Sequence, residues 1–217
     1  MIKVICSCVF ACALAAPLYG QTATTSDPDD EGLSFRGVVF VSGQWMAAKT
    51  TFNAAFDDST VRFFGGGVLI EEKGVYLGVE ISHAKKEGQR AFLFNGQAYK
   101  LNIPLTTTIT PFEVSAGYRF RRHSSIVPYA GVGIGSYGYS ETSPFAEAGD
   151  DVDDRHVGFL AVGGAEFRVH RLIGIAADVQ YTHVPGILGN AGLSKDAGEN
   201  DLGGVAVRAK VIIGISH

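Results

Sequence analysis

From Gly32 onward the chain alternates apolar and polar side chains with a period of two, in eight segments whose connections are alternately short and long. A period of two is the signature of a β-strand, in which successive side chains point to opposite faces. The clearest segment is LIGIAADVQYTHV from Leu172: Ile173, Ile175, Ala177, Val179, Tyr181 and His183 share one face, and Gly174, Ala176, Asp178, Gln180 and Thr182 share the other. PFEVSAGYRFR sets Phe112, Val114, Ala116, Tyr118 and Phe120 against Glu113, Ser115, Gly117, Arg119 and Arg121. VYLGVEISH and GGVAVRAKVIIGI alternate likewise, with Ile212 as an exception. None of these segments shows a 3.6-residue apolar stripe, so the chain is read as all-β.

The segments fall at about 33–45, 61–72, 75–83, 108–121, 126–140, 157–169, 172–184 and 203–215. Tight turns at Lys73-Gly74, around His123-Ser124-Ser125 and at His170-Arg171 follow the second, fourth and sixth. Longer polar connections, 46–60, 84–107, 141–156 and 185–202, follow the others. Short turns at one end and long loops at the other describe a transmembrane barrel of the outer-membrane type. The expected fold is therefore an eight-stranded, antiparallel, up-and-down transmembrane β-barrel.

The polar faces support a narrow interior. They are mostly Gly, Ala, Ser and Thr, with isolated charges at Arg36, Glu80, Glu113, Arg119, Glu166, Arg168, Asp178, Arg208 and Lys210. Eight strands leave room inside only for side chains. These nine residues are expected to form a lumen charge network of structural role. Asp178 on the seventh segment matches Arg208 and Lys210 on the eighth in height above the short turns, which predicts an ion pair with one or both. A soluble, lipocalin-like ligand-binding barrel is the competing architecture; it would turn both faces over.

The stretch VPYAGVGIGSYGYS, 127–140, carries Gly131, Gly133 and Gly135 on one face, which leaves space for large neighbours. Its Tyr129, Tyr137 and Tyr139 are expected near strand ends, at the membrane interfaces. FLFNGQAYKL, 92–101, places Asn95-Gly96 between two apolar-rich arms. That is a two-residue hairpin signal, and arms too short to cross the hydrocarbon predict an external hairpin extending its neighbours; ten strands is the rival count.

The N-terminus reads as processing rather than fold. Lys3, the apolar run Val4–Ala16 and the small residues to Gly20 have the form of a signal peptide, 1–20, followed by a polar disordered lead, 21–31, and the barrel, 32–217. Cys6, Cys8 and Cys12 all lie in that leader, which removes disulfides, thiol catalysis and cysteine metal sites from the remainder. The 18 Lys and Arg are scattered among 22 Asp and Glu, so no nucleic-acid partner is implied. The six histidines are dispersed with no metal-ligand spacing, so no metal and no cofactor is expected.

PYAGVGIGSYGY followed by GFLAVGGAEFRVHRLIGIAADVQYTH resembles the small outer-membrane β-barrel family of the OmpA and OmpX type, over about residues 32–217. The resemblance implies a filled lumen and a structural or surface-interaction role in the cell outer membrane. Outer-membrane lipids and an external ligand reached through the loops are the implied partners. YTHVPGILGNAGL is also similar to the His-x-Ser segment of outer-membrane lipid A deacylases, with His183 in the histidine position; Pro185 stands where the serine is required, so no catalytic residue is assigned.

Overall fold

The computed structural model describes residues 32–120, 124–144, 152–190 and 192–214. The leader, its three cysteines, the polar lead, Arg121, His123 and Ile215 lie outside the described residues. Eight strands follow one another around a closed barrel: β1 Ser34–Met46, β2 Thr60–Glu72, β3 Val75–Phe94, β4 Gln97–Arg119, β5 Ile126–Thr142, β6 Val152–His170, β7 Ile173–His183 and β8 Gly204–Ile213. Every neighbouring pair is antiparallel, and β8 closes on β1 through Gly37↔Ile213 to Met46↔Gly204. Closure satisfies the backbone internally, which is the condition for spanning lipid.

Side-chain parity is that of a membrane barrel. Along β7 every second residue from Ile173 to His183 is exposed and every residue between is buried. The exposed set is Ile173, Ile175, Ala177, Val179 and Tyr181 with His183 at its upper end, and the buried set includes Asp178 and Gln180. β8 repeats the pattern, with Val205, Val207, Val211 and Ile213 outside and Arg208 and Lys210 inside. Ile212 breaks the sequence pattern because it packs inside, with Val38, Phe40 and Leu69. The soluble alternative, which requires the charged face outward, does not fit this arrangement. The 11 residues of β7 match the roughly 9–11 that a tilted strand needs to cross the hydrocarbon.

The turns are short where the sequence places them. Lys73 (φ 49°) and Gly74 (φ 86°) form a two-residue turn with positive φ at both positions, the geometry that suits right-twisted strands. At the opposite end, Asn95 (φ 51°) and Gly96 (φ 76°) close the β3–β4 hairpin in the same way. The segment 84–107 is therefore mostly strand, and the strand count is eight. Above His83, β3 has left β2, whose last pair with it is Phe64↔His83, so the upper hairpin projects beyond the wall. Lys86 steadies its base by donating to the carbonyls of Asp58 and Thr60 at 2.6 and 2.5 Å. Lys100 pairs with Asp57 at 2.5 Å.

Among the described residues, two short helices depart from the all-strand expectation: α1 Lys49–Phe56 in the first long loop and α2 Gly192–Asp196 in the last. α1 packs against the hairpin at Gly88, where a Cβ would lie 2.4 Å from both the Ala55 carbonyl and the Phe56 ring.

Candidate functional site

Three layers fill the barrel from the short-turn end upward. In the lowest, Arg36 donates to both oxygens of Glu166 at 3.0 and 3.1 Å and to Glu71 at 2.6 Å. Arg119 also hydrogen-bonds Glu166 and lies 3.1 Å from Glu71, and Arg168 lies 3.9 Å from Glu166. Gly174 makes the space: a Cβ there would sit 2.4 Å from Glu166 Oε1.

The middle layer is centred on Asp178, whose register partner is Arg208. Arg208 grips the carboxylate in a fork, Nε to Oδ1 at 2.5 Å and Nη2 to Oδ2 at 3.1 Å. Lys210 lies 3.3 Å away, and Tyr129 donates its hydroxyl at 2.6 Å. Glu80 bridges both cations, accepting from Arg208 at 2.9 Å and from Lys210 at 2.6 Å. Glu113 accepts from Tyr137 at 2.7 Å and from Gln180 at 2.9 Å.

All nine charges singled out in the sequence thus lie in the lumen, and the structure adds Glu71 as a tenth. Five cations face five carboxylates, the balance a low-dielectric interior requires, because an unpaired buried charge costs several kcal/mol. The tyrosines correct an expectation. Tyr129, Tyr137 and Tyr139 do not sit at the interfaces; they point inward and are at most 8% exposed. They share parity with Gly131, Gly133 and Gly135, and each delivers its hydroxyl to a carboxylate, Asp178, Glu113 and Glu141 respectively. The glycines between them are holes for other rings: a Cβ at Gly131 would fall 2.1 Å from the Tyr76 hydroxyl. The outward aromatic positions are held instead by residues such as Phe35, Trp45, Tyr118, Phe167 and Tyr181.

The third layer is an apolar cap. Phe52 of α1 is fully buried among Met46, Val61, Ile109, Val184 and Leu202. The two loops that supply it are latched by Glu199, which accepts the backbone N–H groups of Thr50 and Thr51 and the Thr51 hydroxyl, each at 2.8 Å. Those amides belong to the first turn of α1, where helical N–H groups lack internal partners and Ala48 provides no side-chain cap. Burial alone would raise the Glu199 pKa, but the Thr51 and Thr50 hydrogen bonds outweigh it and hold the carboxyl below its ordinary value.

Little space remains beneath the cap. A 30 Å³ cavity beside Tyr76, Glu80 and Arg208 is water-sized rather than a conduit. Larger space lies above, where α1, the hairpin and the last loop enclose a cleft of about 380 Å³ lined by Phe56, Leu101, Leu105 and Leu193, with Arg90 and Glu141 as its charges. A 190 Å³ recess adjoins it through Tyr139, Glu141, Leu188 and Ser194.

His183 lies on the outer face at the upper end of β7, its Nδ1 2.7 Å from Asp201 Oδ2. Asp201 is itself held by the N–H groups of Val184 and Gly203, at 2.7 and 2.8 Å. This is an oriented imidazole, but the nucleophile position two residues on is Pro185. Ser194 has its hydroxyl engaged by the Gly189 N–H at 2.9 Å. Among the described residues no cluster of side chains is arranged to hold a metal ion.

An apolar outer wall, a charge-balanced filled lumen and eight closed strands define a transmembrane β-barrel of the outer membrane. The sequence matches the family described as "Outer membrane protein beta-barrel domain" over residues 8–207, and the chain belongs to that family. No curated protein matches the chain. Among solved structures, Neisserial surface protein A is similar at 13% identity and a TM-score of 0.58, covering 84% of this chain and 99% of the other. A major outer membrane protein from Thermus thermophilus is similar at 10% identity and a TM-score of 0.50, covering 83% and 99%. These likenesses concern the fold. The protein is an integral outer-membrane β-barrel with a side-chain-filled lumen.

Proposed function

We propose that this barrel acts at the cell surface as a binding protein, not as a pore, and that its ligand seat is the 380 Å³ cleft above the cap. The observation that carries the reading is the placement of that cleft: it opens where three external segments converge, while the bore below is filled by two ionic layers and an apolar one. An apolar lining with one cation and one carboxylate suits a small amphipathic ligand, or an apolar side chain of a surface macromolecule. A hydrolytic role is not part of this reading, because Pro185 takes the position a nucleophile would need.

A fluorescent probe with an apolar body and an anionic end, anilinonaphthalene sulfonate, tests the seat. Leu101 is half exposed on the cleft edge, so Leu101→Glu should fold normally and lose most of the probe signal. An unchanged probe affinity would remove the cleft as the seat. Single-channel events in a planar bilayer from the intact protein would contradict the closed bore.

A further inference from the structure

The outer wall carries a second concavity, unrelated to the mouth. β1, β2, β3 and β8 form a lateral depression of about 540 Å³ on the membrane-facing surface. Its floor is small: Gly43 pairs with Val207, and Ala209 pairs with Val41, while Phe64 and Val41 stand beside them. The lumen glycines are small because a Cβ would collide with a neighbour. Gly43 is not: a Cβ there would meet only Thr60 Cγ2, at 4.0 Å. Gly37 and Gly163 on the outer wall are similarly open, with nearest atoms at 3.8 and 3.9 Å, but Gly43 is the one that lines the depression, where the space it leaves faces lipid.

The rim of the depression is basic. Phe64 pairs with His83 across β2 and β3. β2 descends and β3 ascends, so Arg62 and Lys85 each stand two residues above that pair, on the external side. All three basic residues line the depression, and no carboxylate does. Arg62 is exposed and near the upper end of β2, whose first residue, Thr60, pairs with the outward Trp45. The cations thus lie at the level of the external interface. Lys85 is joined to Glu87 at 2.7 Å, but both side chains are more than half exposed, and such pairs hold weakly.

We propose that this wall site binds a phosphorylated acyl lipid of the outer leaflet, with an acyl chain along the Gly43–Ala209 floor and the phosphate against Arg62 and Lys85. Arg62 can offer its fork to two phosphate oxygens, and Lys85 adds a point charge. A second copy of the chain is a poorer occupant, because a symmetric contact would bring the two basic rims together.

Trp45 is the chain's single tryptophan and lies two residues from Gly43 on the same outward face. In nanodiscs of phosphatidylcholine, a brominated-acyl phosphatidic acid should quench Trp45 at far lower mole fraction than brominated phosphatidylcholine. Arg62→Gln and Lys85→Gln should each reduce that preference about fivefold, and the double variant roughly 25-fold. Gly43→Leu fills the floor while leaving the rim intact, and should also lower quenching by the phosphatidic acid. The boiled-versus-unboiled gel shift reports that each variant is folded. Equal quenching by the two lipids, or an unchanged preference in the double variant, would overturn the proposal. So would shielding of Trp45 from both lipids accompanied by cross-linking between copies.

Discussion

Replacing Asp178 with asparagine keeps its shape and removes its charge. The structure sets the size of the effect. Asp178 is 3% exposed and engages Arg208 twice, Tyr129 once and Lys210 at 3.3 Å. Breaking a buried ion pair from one side costs roughly 3–5 kcal/mol, because the abandoned charge stays buried. Here Arg208 and Lys210 both keep Glu80, and asparagine still offers one acceptor oxygen. The loss should therefore fall near the lower bound, at about 3 kcal/mol. Glu166→Gln makes the useful contrast: it leaves both Arg36 and Arg119 to share Glu71, so it should approach ~5 kcal/mol. Reversible urea unfolding in detergent, followed by Trp45 emission, measures both. In a double-mutant cycle with Arg208→Gln, the Asp178 and Arg208 losses should be strongly non-additive. Additivity within about 0.5 kcal/mol, or a larger loss for Asp178→Asn than for Glu166→Gln, would refute the reasoning.

Other consequences are more local. Gly131→Val drives a side chain into the Tyr76 hydroxyl and should cost about 1–3 kcal/mol or block folding, whereas Gly163→Ala, with the nearest atom at 3.9 Å, should leave the urea midpoint unchanged. The Glu199 latch should loosen in acid: its folded pKa lies below the unfolded value near ~4.3, so its stabilisation is full above that pH and lost as pH falls through the folded pKa, which hydrogen exchange in residues 49–56 would follow. An epitope inserted at Asn95-Gly96 should be reached by antibody on intact cells; accessibility only after the outer membrane is breached would contradict the external hairpin.

The sequence disclosed what depends on local alternation and hid what depends on distant partners. β7 could be read to the residue because no glycine run or repeated class interrupts its parity, and the height match of Asp178 with Arg208 followed from the same count. The Asn95-Gly96 hairpin was legible for a different reason, since the positive-φ turn is chosen by those two residues alone. In β5 two sequence cues conflict: nearness to a strand end favours the interface for the tyrosines, whereas parity puts Tyr129, Gly131, Gly133, Gly135, Tyr137 and Tyr139 on a single face, and parity prevails because that face is the lumen. Glu71 carries no distinguishing signal in the sequence because Glu71 and Glu72 are adjacent and only register decides which one enters the lumen; Glu71 is buried and Glu72 exposed. α1 gave no helical signal because eight residues are too few for a stripe, and its first turn is capped by a carboxylate 149 positions away from Thr50. The rim of the wall depression carries no motif: Arg62, His83 and Lys85 become neighbours only once β2 and β3 are paired.

The most direct test of the account is a spin-label scan along β7 in reconstituted bilayers, with the label placed in turn from Ile173 to His183. Collisions with oxygen should rise and fall with a period of two, high at Ile175, Val179 and Tyr181, where the label meets lipid, and low at Ala176, Asp178 and Gln180, where it meets the packed lumen. A water-soluble nickel chelate should reach neither set in the middle of the strand. High chelate accessibility at Ile175 and Val179, or oxygen maxima at Ala176 and Gln180, would contradict the membrane barrel with its charged face turned inward.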